Sequence, residues 1–398
     1  MEDFSAIIDM PDAPDDWKAK ALFARNSSNR HGQGDDLQRA MDDSSAIIDM
    51  PNAPGCFVIV ALLDRAQCYN QRGQEGYWQR AMDDFSAIIN MPNVPGCFKI
   101  EALLNRACCY RQRGQEGDWQ RAVDDYSTVI NMPEASAKLR VTALSERRRC
   151  YMWREYDISE SGDDFGQLAE DDFSAILDMP DAPAELKADA LSDRAEDEDE
   201  GYDVAIGCYS AIIDMLDLPD CIKAEALLDR ANCYNQRGQE GDWQRAVDDF
   251  SAIINMPNVP GGFKTALLER ACCYRRRGQE GDWQRAVDDY STVINMREAS
   301  SSAAYYERYL RADIYFLREQ EGDWQSALDD YSAVIDMPDV PPELKARALL
   351  RRGGIYQHRG QEGDWQRAME DFSAIIDMPD APDDLKAEAR QDLSDLGF

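Results

Sequence analysis

Lys223-Ala-Glu-Ala-Leu-Leu-Asp-Arg-Ala-Asn-Cys-Tyr-Asn-Gln-Arg-Gly238, then Gln-Glu-Gly241, then Asp242-Trp-Gln-Arg-Ala-Val-Asp-Asp-Phe-Ser-Ala-Ile-Ile-Asn-Met256 and Pro257-Asn-Val-Pro260 hold two amphipathic helices and their connections. Leu227, Ala231 and Tyr234 recur at i, i+4 and i+7 and so share one face of a first helix, helix A. Trp243, Ala246, Phe250, Ile253 and Ile254 do the same for a second, helix B. Gly238 can take the left-handed conformation that ends helix A, and Asp242 stands where helix B wants an N-cap. Pro257 stops helix B, and Pro260 stands ready to start the next helix A.

Outward from this stretch, the serine of the Asp-Asp-[Phe/Tyr]-Ser motif sets a register along the chain. It falls at Ser5, Ser45, Ser86, Ser127, Ser174, Ser210, Ser251, Ser291, Ser332 and Ser373, mostly 40 or 41 residues apart, with exceptions of 47 and 36. Self-similarity at this period marks a stack of helix pairs, in which each unit buries its apolar face on its neighbours and length adds units instead of enlarging one core. The expected fold is therefore all-α, an α-solenoid of about nine antiparallel helix pairs. The Met-Pro-x-x-Pro segment, seen at Met10, Met50, Met91, Met179, Met256, Met337 and Met378, reads as a rigid connector in preference to a polyproline ligand.

These residues resemble the tetratricopeptide repeat family. The family's series of large apolar, small, aromatic, Gly, aromatic, Ala, aromatic and Pro is matched here by Leu227, Ala231, Tyr234, Gly238, Trp243, Ala246, Phe250 and Pro257, and it recurs over nearly the whole chain. Two insertions, Gln-Glu-Gly in the A–B turn and a few residues in the B–A connector, stretch the period to about 40 residues from the family's 34. The resemblance implies a right-handed superhelix that holds other proteins and catalyses nothing. It also implies that ligands lie in a concave groove lined by helix A. On this sequence that face presents Gln67, Asn70 and Gln71, then Arg111 and Gln112, then Arg149 and Trp153. It continues with Asn232, Asn235 and Gln236, then Arg275 and Arg276, Asp313 and Phe316, and Gln357 and His358. Amide and arginine side chains there suit a peptide backbone or a carboxylate. The plainer reading is that arginines near the end of helix A complement the helix dipole.

Where the common family pattern has leucine before the small residue of helix A, this chain has arginine: Arg65, Arg106, Arg147, Arg194, Arg230, Arg270, Arg311 and Arg352. Helix B carries an aspartate before its aromatic at Asp84, Asp125, Asp172, Asp249, Asp289, Asp330 and Asp371. Both positions flank packed faces, so an Arg–Asp pair is expected within each unit, a ladder along the array. Losing one partner of a half-buried pair costs on the order of 3 kcal/mol, because the other charge is left behind.

The array has irregular parts. In the unit from Trp17 to Met50, Asn29 and Ser44 replace the two aromatics, so loose packing is expected. Glu196-Asp-Glu-Asp-Glu200 falls at the end of a helix A, with Glu198 in the Tyr position and Cys208 in place of the ladder aspartate. These departures suggest a sub-array at 1–153, a degenerate seam at 154–207 and a second sub-array at 208–398 ending in a capping helix. Ala61–Ser136 is nearly reproduced by Ala226–Ser300, as though a two-unit block had been duplicated. The chain starts within a helix B, which suggests a second role in head-to-tail self-assembly.

Composition limits the chemistry. With 77 acidic and 43 basic residues the net charge is −34, which repels phosphate backbones and anionic lipids, so neither nucleic acid nor membrane is an expected partner. Protein or peptide is expected, and an acidic decoy for basic proteins is an alternative. Only two histidines, His31 and His358, leave little for a catalytic relay. The doublets such as Asp248-Asp249 recur in nearly every unit, as a helix surface does and a catalytic pair need not. Cys68, Cys109, Cys150, Cys233 and Cys273 share one helix-A position and read as buried small apolar groups, one per unit, where metal ligands would cluster. No cofactor is expected. Eleven cysteines without a disulfide framework, and no signal-like or spanning apolar run, suit the cytoplasm.

Overall fold

Helix A and helix B alternate along the chain because Gly, Gly and Pro interrupt the apolar periodicity at fixed places. The structure, a computed structural model, describes residues 2–29, 35–73, 76–157, 165–197, 201–257, 259–296, 304–318, 320 and 322–396. They form two compact units, residues 1–190 and 191–398. The first contains α1 (Glu2–Ile8), α2 (Asp15–Asn29), α3 (Asp35–Ile48), α4 (Gly55–Arg72), α5 (Tyr77–Asn90), α6 (Gly96–Arg113), α7 (Asp118–Ile130), α8 (Ala137–Asp157) and α9 (Phe165–Asp178), and it ends within α10 (Ala184–Ala195). The second contains α11 (Gly201–Asp214), α12 (Asp220–Arg237), α13 (Asp242–Ile254), α14 (Pro260–Arg277), α15 (Asp282–Asn295), α16 (Ala304–Arg318), α17 (Asp323–Asp336), α18 (Pro342–Arg359), α19 (Asp364–Asp377) and α20 (Asp383–Asp395). Every described element is a helix, and along α1 to α9 and α11 to α20 each packs on the next in sequence. The even-numbered helices are helix A and the odd-numbered ones helix B. No described helix is long and apolar enough to cross a membrane.

The core is one aromatic per helix B set against one small residue per helix A. Phe85, Tyr126, Phe250, Tyr290, Tyr331 and Phe372 are completely or almost completely buried, as are Ala66, Ala107, Ala231, Ala271 and Ala312. Each aromatic stabilises its unit by roughly 2–3 kcal/mol through apolar burial. Gly353 takes the small position beside Phe372, and a Cβ there would come within 2.6 Å of the ring, so only glycine fits that approach. Packing in the first helix pair is sparser, as the sequence suggests: two separate small clusters, Leu22/Ile47/Ala61 and Ala40/Met41/Cys68, stand where later pairs have one. The lost aromatic is compensated by volume exchange. Asn26 occupies the small position, Ser44 the aromatic one, and the Asn26 Nδ2 donates to Ser44 Oγ at 2.8 Å and to Asp64 at 3.2 Å.

Two expectations need correction. Gly238 does end α12 in the left-handed region, at φ 63°, but Asp242 is not the cap of α13. Gly241, at φ 86°, occupies that position without a side-chain hydrogen bond. Asp242 is the first helical residue, completely buried, and its carboxylate turns back to accept from the Gln239 amide at 2.9 Å and from Arg237 at 2.7 and 3.0 Å. The inserted Gln-Glu-Gly makes the turn long enough for that reach. Second, helix A ends before the acidic run begins: α10 stops at Ala195 and Glu196 is already in a turn. Carboxylates crowded at a helix C-terminus oppose the dipole and each other. Glu198–Glu200 lie outside the described residues, as do His31 and 158–164.

Candidate functional site

The ladder arginines take up the charge chemistry between the helices. In α4, Arg65 donates from Nε and Nη2 to both oxygens of Asp84 in α5, at 2.9 and 2.7 Å, and from Nη1 to Ser45 of the preceding α3 at 3.0 Å. The same three-way contact recurs at Arg106 with Asp125 and Ser86, and at Arg147 with Asp172 and Ser127. In the second unit it recurs at Arg230 with Asp249 and Ser210, Arg270 with Asp289 and Ser251, Arg311 with Asp330 and Ser291, and Arg352 with Asp371 and Ser332. The pairs expected from sequence thus form in these units, and one more, Arg25 with Asp43 and Ser5, begins the series. What the sequence reading missed is the serine. It is the residue that fixes the repeat register, and its hydroxyl ties each unit to the next while donating to the carbonyl four residues back, as Ser86 does to Met82 at 2.6 Å. Burial pushes the Asp84, Asp125, Asp249, Asp289 and Asp371 carboxyls up, and the arginine hydrogen bonds pull them partly back.

A second clasp closes five of the long A–B turns, while in the α4–α5 turn Arg72 donates instead to the Tyr77 hydroxyl at 2.9 Å. Arg113 with Asp118, Arg237 with Asp242, Arg277 with Asp282, Arg318 with Asp323 and Arg359 with Asp364 form bidentate pairs over completely or nearly buried carboxylates. Each arginine also reaches back to helix B of the previous unit: Gln79, Asp203, Gln244, Gln284 and Gln325 in turn. For Asp242 the Arg237 bonds outweigh burial and hold the carboxyl below its usual range.

Against this frame, the sequence-derived groove residues sit at neighbouring positions near the end of helix A. Gln71, Gln112, Arg149, Trp153, Gln236, Arg276 and His358 are exposed, and Gln67, Asn70, Arg111, Asn232, Asn235, Arg275 and Asp313 half-buried. Several have partners inside the protein. Arg111 and Arg149 are brought together on Glu146, at 2.9 and 2.8 Å. Gln67 donates to Glu101 at 3.4 Å, Asn235 accepts from the Cys273 thiol at 3.1 Å, and Asp313 accepts from the Tyr331 hydroxyl at 2.5 Å with Arg351 at 3.9 Å. Arg276 lies over the Trp243 ring, 5.3 Å from its centroid. Two atoms have no such partner: Asn70 Oδ1 and Arg275 Nε are buried without a hydrogen bond in the protein. They stand at one register position, five residues past the ladder arginines Arg65 and Arg270.

A pocket of about 300 Å³ lies between α6, α7 and α8. Tyr110, Trp119 and Trp153 provide aromatic walls, Cys150 and the turn from Gly114 to Gly117 the rest, and Arg111 the edge. Trp153 is 69% exposed. Burial pushes the Cys109 and Cys273 thiols up to about 12 and the Cys150 thiol to about 11. Among the described residues, no group of three or more His, Cys, Asp or Glu side chains could hold a metal ion.

The family model for the tetratricopeptide repeat matches residues 101–132, from α6 through α7. No curated protein sequence matches the chain. Among solved structures, the chain is similar to the C-terminal part of a TPR repeat-containing protein from Cytophaga hutchinsonii, 12% identical over 73% of this chain and 97% of that one, with a TM-score of 0.45. It is similar also to a tetratricopeptide repeat protein from Parabacteroides merdae, 17% identical over 85% of this chain and 99% of that one, TM-score 0.29. The TPR domain of P58(IPK) is 18% identical over 95% of this chain and 98% of that domain, TM-score 0.29.

Proposed function

One helix pair of the array, residues 101–132, matches the tetratricopeptide repeat model, and we propose that the chain is a non-catalytic interaction scaffold of such repeats whose helix-A face grips an extended segment of a partner protein. The observation that carries this reading is the pair of orphan polar atoms, Asn70 Oδ1 and Arg275 Nε. Buried polar groups are nearly always hydrogen-bonded, and leaving one unpaired costs about 1–3 kcal/mol. One such atom in each unit, at the same repeat position and among the amides and arginines of that unit's helix-A face, is what a partner's backbone amide or carbonyl would satisfy. The ladder and turn arginines are committed to the fold, so binding falls to the residues between them. Cysteines without a disulfide framework suit a reducing compartment, the cytoplasm.

Site-specific photo-crosslinking in cell lysate tests the proposal. A benzophenone side chain at Gln112 or Gln236 on helix A should capture one common partner, and the same group at Gln120 or Gln244 on helix B should not. All four positions are exposed, so the fold tolerates the probe. Capture confined to the helix-B positions, or none at the helix-A positions, would remove the groove from consideration.

A further inference from the structure

The repeat supplies its own comparison for the acidic groups at the start of the second unit. In the first unit Glu146 stands one residue before ladder Arg147. Arg111, five residues past ladder Arg106 on the preceding helix A, meets it at 2.9 Å. Asp229 stands at the same place before ladder Arg230. The helix A that precedes it, α10, stops at Ala195, one residue past Arg194, and never reaches the position from which an arginine could meet Asp229. Asp229 is half-buried and forms no hydrogen bond or ion pair with a described residue; the charges that act on it are two acids, Glu196 and Glu225. The arginines of its own helix are committed elsewhere, Arg230 to Asp249 and Ser210, Arg237 to Asp242 and Asp203. We propose that Asp229, with Glu196, Glu225 and the Tyr209 hydroxyl, receives the side-chain ammonium of a lysine from a partner protein.

All four residues belong to the second compact unit. Glu225 and Asp229 lie one turn apart on α12, and Glu196 and Glu225 are exposed, so the site opens to solvent. Burial, then Glu196 and Glu225, push the Asp229 carboxyl up, the mark of a charge held out of water without compensation. Tyr209 is 5% exposed, and its hydroxyl has no hydrogen-bond partner among the described residues. Burial, then Asp229, push that hydroxyl up as well, which puts it beside the carboxylate. The equivalent hydroxyls of Tyr290 and Tyr331 meet Cys272 and Asp313. The end of α10, directly before Glu196, adds helix carbonyls of partial negative charge. Among the described residues no group of three or more acidic, cysteine or histidine side chains could hold a metal ion. An ammonium, with three donors and no acceptor, suits oxygens gathered from two helices and a turn.

This inference rests on the groove reading for its location, and its test separates the two. The full chain, 13C-labelled at its aspartate and glutamate carboxyls, is titrated with N-acetyl-lysine amide and with N-acetylnorleucine amide, which keeps the side-chain carbons and lacks the ammonium. The Asp229 and Glu225 resonances, identified by their loss in Asp229→Asn and Glu225→Gln, should shift saturably with the lysine compound, with affinity about tenfold above norleucine. In Asp229→Asn the Glu225 resonance should cease to respond. That variant also loses an uncompensated charge, so without any ligand it should melt about 2 °C above the parent. Equal response to both compounds, no response, a retained Glu225 response in Asp229→Asn, or a lowered melting temperature in that variant would each overturn the proposal. Any of these alongside intact crosslinking at Gln236 would leave the groove standing and remove only this site, whereas lysine binding without capture at Gln236 would keep the site and remove the groove.

Discussion

The block Ala61–Ser136 and its near-copy Ala226–Ser300 keep the same ladder and differ in what faces them. Arg65 and Arg106 in one, Arg230 and Arg270 in the other, make the same bonds to aspartate within the unit and serine in the unit before. The helices that follow diverge. In α8 the acid that meets Arg111 is Glu146, one residue before ladder Arg147. In α16 that position is Leu310, and the acid near Arg275 is Asp313, two residues beyond ladder Arg311 and bonded to Tyr331. Ladder residues each satisfy two neighbours, so a change breaks two contacts at once. The residues further along helix A meet the next helix across one seam, where the facing acid sits at a different position in each copy.

The strongest way to break this contrast is at the ladder. Arg106→Ala leaves Asp125 buried without its cation and Ser86 without its donor, and Arg270→Ala does the same to Asp289 and Ser251. Each should cost about 3–5 kcal/mol in urea unfolding, and the two should agree within about 1 kcal/mol if the copies are equivalent. A tolerated change in one copy alone would show that its ladder is decorative.

The turn clasp comes next. Burial alone would raise the Asp282 carboxyl, but the Arg277 bonds and the Gln279 amide bring it below the ordinary value of 3.8. A lowered folded pKa means stability present above the ordinary value and lost as pH falls through the folded one. Asp282→Asn should therefore cost about 2 kcal/mol at pH 7 and flatten the loss of stability below pH 4. Ladder Asp289, raised by burial, has the opposite sign, so Asp289→Asn should leave that acid limb as steep as before. Melting temperatures across pH 2 to 7 compare the two.

The sequence made the ladder readable because Arg230 and Asp249 repeat at fixed places on flanks of packed faces, and charges there have few other partners. It did not make Ser251 readable, since that serine's donor, Arg270, comes from the next unit and periodicity within one unit says nothing of its neighbour's phase. Asp242 was legible as a helix-start residue, but a cap and a clasp differ only in whether the three inserted turn residues let the carboxylate fold back. The groove was the hardest. Pairing Arg111 with Glu146, or facing Trp119 with Trp153, depends on inter-unit stacking and on side-chain length, and neither leaves a periodic signal.

Smaller effects sharpen the comparison. Ser86→Ala removes one acceptor from Arg106 while Asp125 keeps its two bonds, so the loss should be about 1 kcal/mol; Ser251→Ala should match it.

The smallest effect concerns Glu146. Its carboxylate ties Arg111 and Arg149 together, but both arginines have access to water, and pairs so placed contribute about 0–1 kcal/mol. Glu146→Gln should thus barely move the unfolding midpoint. Its effect belongs to the groove instead, because the negative charge between the two arginines disappears while both remain. Capture by a benzophenone at Gln112 should change in this variant, whereas capture at Gln236 in the second unit should not. A midpoint shift as large as that of Arg106→Ala would mean that Glu146 is part of the stacking, and the division between residues that hold the array and residues that face a partner would fail at its clearest point.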